Sequence, residues 1–356
     1  MKFVRSSMSV VLIFAILLPC ALCASAAEMS LPISQSERLA VIDVLTEIEP
    51  HKEAWGLEGV DFCDLEIGAP VQTYNYVENT LESGNMMYPL SANDRLILWA
   101  VPASGQFQIT TGLVNELNSV LNVGTPFALI YDASNIYLYA DNTITLLKHT
   151  NQDISLRGSL NTNARFAVGE INTVRLSQKT HLGYNVSMQR STQVNISCNV
   201  NYVTQNPYKN LCWAASVACI ANYKKGTSLD AATVARNYHG STNFDRGILP
   251  NGLPVILWDY GLDYYVFSDY GSFGDRIMDS ILADNPVGGS FDVINGGYHA
   301  TVIFGINVIA GRLQVMDPEF GMTTATIQSA GNGYSYVSNV YNTTLVLYGI
   351  SYDTGV

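Results

Sequence analysis

Four side chains suited to a thiol-dependent enzyme are spread along the second half of this chain. Cys212 begins a run of helical pattern, Leu211 to Ile220, and Gln205 stands seven positions before it. His299 and Asp317 follow much later, each in or just after a stretch of strand-forming residues. A thiol at a helix N-terminus, an imidazole and a carboxylate are the components of a nucleophilic cysteine site. The sequence therefore predicts an enzyme.

Each of the four residue types suits one step of acyl transfer. The positive end of a helix and a nearby imidazolium favour thiolate over thiol, which would make Cys212 the nucleophile. His299 would be the base, and Asp317 would accept the second ring N–H and fix the ring's orientation. The Gln205 amide would donate to the oxyanion beside the Cys212 backbone N–H. Each residue alone has an ordinary structural explanation, so the prediction depends on all four together.

Composition limits the other classes of function. The chain has 356 residues, of which 48% are hydrophobic and 13% charged, as in a globular protein. Its formal charge of -12, with no Lys/Arg cluster beyond the first residues, argues against nucleic-acid binding. The five histidines are scattered and no Cys/His pair has ligand spacing, so we predict no metal site and no cofactor.

The first 27 residues are predicted to be a secretion signal. Lys2 and Arg5 supply a basic start, residues 10–18 an apolar core, and Ala24-Ser25-Ala26 a cleavage site of small residues. The apolar run is short for a membrane span, and no later segment resembles one. We therefore expect a secreted, extracellular protein without a membrane span.

Four cysteines remain once the signal is removed: Cys63, Cys198, Cys212 and Cys219. Four are too few for a disulfide scaffold in a chain of this length. If Cys212 is free, at most one bridge can form. Cys212 and Cys219 lie roughly 10 Å apart along one predicted helix, too far to bond, and Cys219 is expected to be a small buried residue.

A change in composition near residues 180–200 predicts two modules. Eleven of the twelve Glu precede residue 186, whereas fourteen of the 21 Tyr follow it. The segment from Ser177 to Ser197 is polar and has the character of a linker. We call residues 28–185 the front module and residues 186–356 the rear module.

The front module is predicted to be a small α+β unit. A helix capped by Ser34 or Ser36 carries Leu39, Ile42, Leu45 and Ile48 at helical spacing. Strands are predicted at 97–101, 107–111, 127–131, 136–139 and 144–147, and a short helix at 113–121. The module contains no catalytic constellation, since its histidines are isolated.

The rear module is predicted to have helices first and strands later. The helices are expected at 212–225, 229–238, 253–260 and 273–282, and the strands at 287–293, 298–306, 313–316 and 343–348. This order predicts an α+β fold of two packed halves, N-terminal helices and a C-terminal antiparallel sheet, with a cleft between them.

Over roughly residues 195–350 the rear module resembles a papain-like cysteine peptidase. The resemblance is carried by Gln205, Cys212-Trp213-Ala214, Gly-Tyr-His299-Ala and Asp317-Pro318, in that order. It is greatest to the compact bacterial branches, the C39-like peptidases and the papain-like effectors of plant pathogens. The plant-type Cys-Gly-Ser-Cys-Trp signature is absent, and the third member is Asp rather than Asn. The signal peptide argues against the C39 peptidases that are fused to exporters.

The resemblance implies a cysteine endopeptidase acting on proteins or peptides. The signal peptide predicts that it is secreted, and we expect a monomer. The front module would then resemble a propeptide, an intramolecular inhibitor that blocks the cleft until the linker is cut. Two alternatives stay open. One is a secreted peptidoglycan hydrolase of the NlpC-like or CHAP kind, and the other is a catalytically silent surface binding protein with a peptidase-like shell.

Overall fold

The structure is a computed structural model that describes most of the chain after the predicted signal. The described residues are 33–103, 105–122, 124–132, 135–149, 166, 170–185, 195–267, 273–293, 297–326, 328–330, 333–338 and 343–353. The predicted signal peptide and residues 186–194 of the predicted linker lie outside them. Within the described ranges, no helix combines the length and apolar character needed to cross a membrane.

The front module contains two α-helices and nine strands in its described part. They are α1 (Gln35–Ile48), β1 (Glu66–Gly68), β2 (Val71–Val77), β3 (Thr80–Ala92), β4 (Arg95–Ala103), β5 (Gln106–Thr110), α2 (Val114–Val120), β6 (Phe127–Tyr131), β7 (Asn135–Ala140), β8 (Thr143–His149) and β9 (Lys179–His181). The predicted helices and strands of this module are confirmed. The strands β1 to β3 and β9 were not predicted.

Helix α1 begins with a capping box. The Ser34 hydroxyl accepts from the Glu37 backbone N–H at 3.2 Å, and the Glu37 carboxylate accepts from the Ser34 N–H at 3.0 Å. The helix ends before Pro50, and a short 3₁₀ turn, Glu49–His51, follows. Its buried apolar face consists of Val41, Ile42, Val44, Leu45 and Ile48. Leu39, which has the same helical spacing as Ile42, Leu45 and Ile48, is 50% exposed and lies outside this face.

The rear module carries the remaining elements. They are β10 (Asn195–Ser197), α3 (Cys212–Lys225), α4 (Ala231–His239), α5 (Gly252–Asp259), β11 (Tyr264–Phe267), α6 (Phe273–Leu282), β12 (Val287–Val293), β13 (Tyr298–Asn307), β14 (Arg312–Asp317), β15 (Gly321–Thr326), β16 (Gln328–Ala330), β17 (Gly333–Ser338) and β18 (Thr343–Asp353). All four predicted helices and all four predicted strands are confirmed within a few residues, whereas β10, β11 and β15 to β17 were not predicted.

One antiparallel sheet runs through both modules. Its neighbouring strands follow the order β9, β1, β3, β4, β5, β15, β14, β13, β12, β18 and β11. The two modules meet where β5 lies beside β15, with Thr110 opposite Thr323. A second sheet joins the first half of β3 to β2, β6, β7 and β8, and contains a parallel pair between β2 and β6.

The hydrophobic core also crosses between the modules. Its largest cluster contains Leu45 and Phe62 of the front module together with Val302 and Val315 of the rear module. At its edge, Arg312 of β14 is only 4% exposed and donates to the buried Glu47 carboxylate of α1 at 3.2 Å. Truncating one partner of such a buried ion pair costs about 3–5 kcal/mol, because the other charge is left without its counterion.

Candidate active site

Cys212 is the first residue of helix α3. The N-cap residue Leu211 makes no side-chain capping bond, so the N–H groups of the first helical turn have no side-chain acceptor from the N-cap residue. Cys212 itself is half-buried, whereas the next nine residues are fully buried. The helix ends at Gly226, which has a left-handed backbone with φ of 65°. The helix thus holds one thiol at the positive end of a rigid, buried element.

The chain on both sides of Cys212 is fixed by residues 245–246. The Asp245 carboxylate accepts from the backbone N–H groups of Lys209 at 3.2 Å and Asn210 at 2.8 Å. The Trp213 indole N–H donates to the Arg246 carbonyl at 2.7 Å. Sequence reasoning missed Asp245, because no local pattern links it to a loop 35 residues earlier.

His299 and Asp317 are brought together by strand register. Strands β13 and β14 are antiparallel with Val302 opposite Met316, so Asp317 lies one position farther towards His299. The His299 Nε2 atom lies 3.0 Å from Asp317 Oδ1. The two residues are 4% and 1% exposed, so this contact is shielded from water.

The Asp317 carboxylate has further donors on its own turn. Its Oδ1 atom accepts from the backbone N–H groups of Glu319 at 2.9 Å and Phe320 at 3.2 Å. These bonds fix the position of the carboxylate. Since the carboxylate is hydrogen-bonded to Nε2 of His299, Nδ1 is the ring nitrogen that can interact with Cys212. Sequence reasoning did not assign Glu319, which is 1% exposed.

The electrostatic surroundings favour a charged imidazole. Burial is the largest single effect and acts to lower the pKa of His299, whereas the charge and the hydrogen bond of the Asp317 carboxylate act to raise it. The Cys212 side chain acts in the same direction, and the pKa of His299 is raised well above its usual value. The Cys212 side chain is therefore one of the groups that favour the protonated form of the His299 ring.

Gln205 is hydrogen-bonded through its backbone to Pro318, the residue that follows Asp317. Its backbone N–H donates to the Pro318 carbonyl at 3.0 Å, and the Tyr202 hydroxyl donates to the same carbonyl at 3.1 Å. The Gln205 side chain is 1% exposed, and its Oε1 atom has no hydrogen-bond partner among the described residues. Rotation of the amide exchanges oxygen and nitrogen, so the NH₂ group can face the same space.

One cavity of about 330 Å³ joins three of the four predicted site residues. Gln205, Cys212 and His299 line it, together with apolar side chains such as Ile248 and Leu253. All of its lining residues lie between 205 and 319, within the rear module. A second cavity, of about 760 Å³, lies between the modules and is lined by none of the four predicted site residues.

The described cysteines other than Cys212 are Cys63, Cys198 and Cys219. None of the four described cysteines is in a disulfide. Burial raises the pKa of Cys198 to about 12 and also raises that of Cys219, which keeps both as neutral thiols. Across the described ranges, no group of three or more His, Cys, Asp or Glu side chains is placed to hold a metal ion.

Comparison with known families agrees with this kind of site. Residues 190–330 match the family described as papain-like cysteine protease AvrRpt2, a range that includes all four predicted site residues but less than half of the chain. No curated protein matches the chain. The large sheet and the six α-helices of the described residues fit a papain-like fold. The chain is a cysteine-type peptidase, a hydrolase, and its residues 190–330 are similar to papain-like cysteine proteases.

Proposed function

We propose that the chain is a secreted cysteine endopeptidase that uses Cys212 as nucleophile, His299 as acid and base, and Asp317 as the orienting residue. The observation that carries the proposal is the single cavity shared by Gln205, Cys212 and His299, with His299 buried against Asp317. Within the papain-like peptidases, we propose that the chain belongs to the C39-like branch, as predicted from the sequence.

The first half of the reaction forms a thioester. The Cys212 thiolate attacks the peptide carbonyl carbon, and the Gln205 amide and the Cys212 backbone N–H donate to the oxyanion. The His299 imidazolium then gives its proton to the leaving nitrogen as the C–N bond breaks. Asp317 stabilises the charged ring throughout.

The second half regenerates the enzyme. Neutral His299 removes a proton from water, and the resulting hydroxide equivalent attacks the thioester carbonyl carbon. The C–S bond breaks, the new carboxylic acid leaves, and the Cys212 thiolate faces the His299 imidazolium again. No cofactor takes part in either step.

The choice between peptidase and the two alternatives can be tested with substrates. We expect the purified chain to cut casein, and an epoxysuccinyl inhibitor at pH 6 to label Cys212 and stop the cutting. Release of peptides from peptidoglycan with none from casein would indicate the cell-wall hydrolase. Failure of Cys212 to react with the inhibitor would indicate a silent binding protein.

Replacing Gln205 with Ala should lower kcat for peptide hydrolysis by about 10²–10³-fold, because one oxyanion donor is lost. Alkylation of Cys212 by iodoacetamide passes through no oxyanion, so its rate should stay near that of the wild type. Equal losses in both rates would show that the variant disturbs the thiol rather than the oxyanion, and would contradict the proposed role.

Replacing Asp317 with Asn should narrow the active pH range from its alkaline side. The leaving nitrogen needs protonated His299, so activity falls as pH rises through the pKa of His299. The Asp317 charge raises that pKa, and removing it should move the alkaline limb of kcat/KM to lower pH. The measurement is kcat/KM against pH for both proteins, and an unchanged alkaline limb would contradict the role of Asp317.

We further propose that the chain is made as a zymogen, with the front module as its intramolecular inhibitor. The composition change near residue 186 and the lack of a candidate constellation in the front module support this proposal. Since the described residues that line the 330 Å³ cavity are all in the rear module, we propose that inhibition acts through contacts outside that cavity.

Activation can be followed directly. Purified full-length chain should acquire a new N-terminus between residues 175 and 205 on incubation, and its activity should rise as the cut proceeds. N-terminal sequencing and a peptide assay on the same samples provide the measurement. Full activity in the intact chain, with no cut in that range, would exclude the zymogen.

A further inference from the structure

We propose that the front module is a permanent part of the enzyme. After the linker is cut, the two pieces of chain would stay together as one noncovalent complex. The inference rests on the proposed function only for the place of the cut, between residues 175 and 205. Contacts between the modules carry it, and they are of three kinds: a buried ion network, a shared core and a backbone seam.

The ion network places charged groups of both modules out of water. Arg312 of β14 donates to Glu47 Oε2 at 3.2 Å through Nε and to Asp43 Oδ2 at 2.8 Å through Nη2. Asn307 of β13 donates to Glu47 Oε1 at 2.7 Å. Glu47 and Arg312 are only 1% and 4% exposed. Separation would break every one of these bonds at once.

The shared core adds an apolar surface that separation would uncover. Leu45, Ile48 and Phe62 of the front module belong to the same buried cluster as Val302 and Val315 of the rear module. Large contiguous apolar surfaces are unusual on soluble monomers. Each free piece would carry part of this cluster on its surface, which favours the complex.

The backbone seam begins at Gly321, four residues after Asp317 in the sequence. The Thr111 N–H donates to the Met322 carbonyl at 2.9 Å, and the Met322 N–H donates to the Thr111 hydroxyl at 2.9 Å. Gly321 has φ of +93°, and a Cβ there would lie 2.5 Å from the Thr111 hydroxyl oxygen. Only glycine permits this backbone and this close approach.

The seam also supports the turn that orients Asp317. Lys148 of the front module donates to the Glu319 carbonyl, and the Glu319 N–H donates to the Asp317 carboxylate. A rear module without its partner would lose support on this turn. Because the front module does not line the 330 Å³ cavity, the cut can relieve the proposed inhibition without separating the two pieces.

The test cuts the covalent link between the modules and asks whether the noncovalent contacts alone hold the two pieces together. Residues 187–193 are replaced by the recognition sequence of a site-specific serine protease, in a Cys212→Ala background that prevents self-digestion. After cutting, both pieces should leave a size-exclusion column together, with the mass of the uncut chain by light scattering. Elution of the pieces as separate species would overturn the proposal.

A variant of the ion network tests its contribution. Arg312→Ala leaves Glu47 buried without its guanidinium, so the dissociation constant of the cut complex should rise by about 10²–10³-fold. The matched control is Lys179→Ala, which removes an ion pair to Asp94 within the front module and should leave the complex intact. An Arg312→Ala complex as tight as the wild type would contradict the network's role. Circular dichroism of the uncut variants checks folding, and the wild-type elution decides the proposal if a variant does not fold.

The outcome is independent of catalysis. Because the association test uses an inactive variant, absence of peptidase activity would defeat the proposed function without touching this inference. With Cys212 intact, we expect the activity of the cut enzyme to elute with the complex. Activity found only with a free rear module would overturn the inference and leave the proposed function standing.

Discussion

Replacing Cys212 with Ala is expected to reduce kcat/KM for peptide hydrolysis by at least about 10⁴-fold, since the proposed nucleophile that forms the acyl-enzyme is removed. The fold should persist, because Cys212 is half-buried at the helix start and alanine is a good helix former. Casein cleavage and a thermal unfolding curve measure the two effects.

The matched control for this variant is Cys219→Ala, seven residues farther along the same helix. Cys219 is buried and its thiol only donates to the Asn201 carbonyl at 3.4 Å. Its replacement should lower thermal stability slightly and leave kcat/KM near the wild-type value. Casein cleavage by Cys212→Ala at the wild-type rate would show that the assignment of the nucleophile is wrong.

Local patterns predicted most helices and hairpins correctly. Helix α3 could be bounded from sequence because its apolar residues follow helical spacing and Gly226 supplies a C-terminal stop. The hairpin of β13 and β14 could be predicted because alternating apolar stretches flank Ala310-Gly311. Such signals are short-range, and short-range patterns are what a single sequence displays.

The misses are elements whose partners are far away in sequence. Strand β15 follows a tight turn after Asp317, and its pairing with β5 joins residues more than 200 positions apart. Leu39 fits the helical spacing of α1, yet it is exposed, whereas Val41 and Val44 are on the buried face. The burial of a helix side chain depends on which face of the helix a distant element packs against. Helical spacing alone does not indicate which face that is.

The four site residues could be proposed from sequence because each type has a limited chemical repertoire. The residues that support them could not, since Asp245 and Tyr202 act through hydrogen bonds with backbone groups of the loop and turn around the site. A loop carboxylate or a tyrosine has no distinctive pattern before its partner is known. The sequence thus indicates the reacting groups more readily than the groups that hold them.

Replacing His299 with Ala is expected to lower kcat/KM by about 10²–10⁴-fold, because the leaving nitrogen loses its proton donor and water loses its base. The loss should be larger for amide than for ester substrates, since an alkoxide leaves more readily than an amine without protonation. Parallel assays with an amide and an ester of the same acyl group measure the difference.

The matched control is His149→Ala, at an exposed position in β8 where the ring contacts the Asn135 side chain. This variant should hydrolyse both substrates at wild-type rates. If His299→Ala lost the amide and the ester reaction equally, the ring would be acting on the thiol alone and not as the acid for the leaving group. If it lost neither, His299 would have no part in the reaction, and the cavity shared with Cys212 would need another explanation.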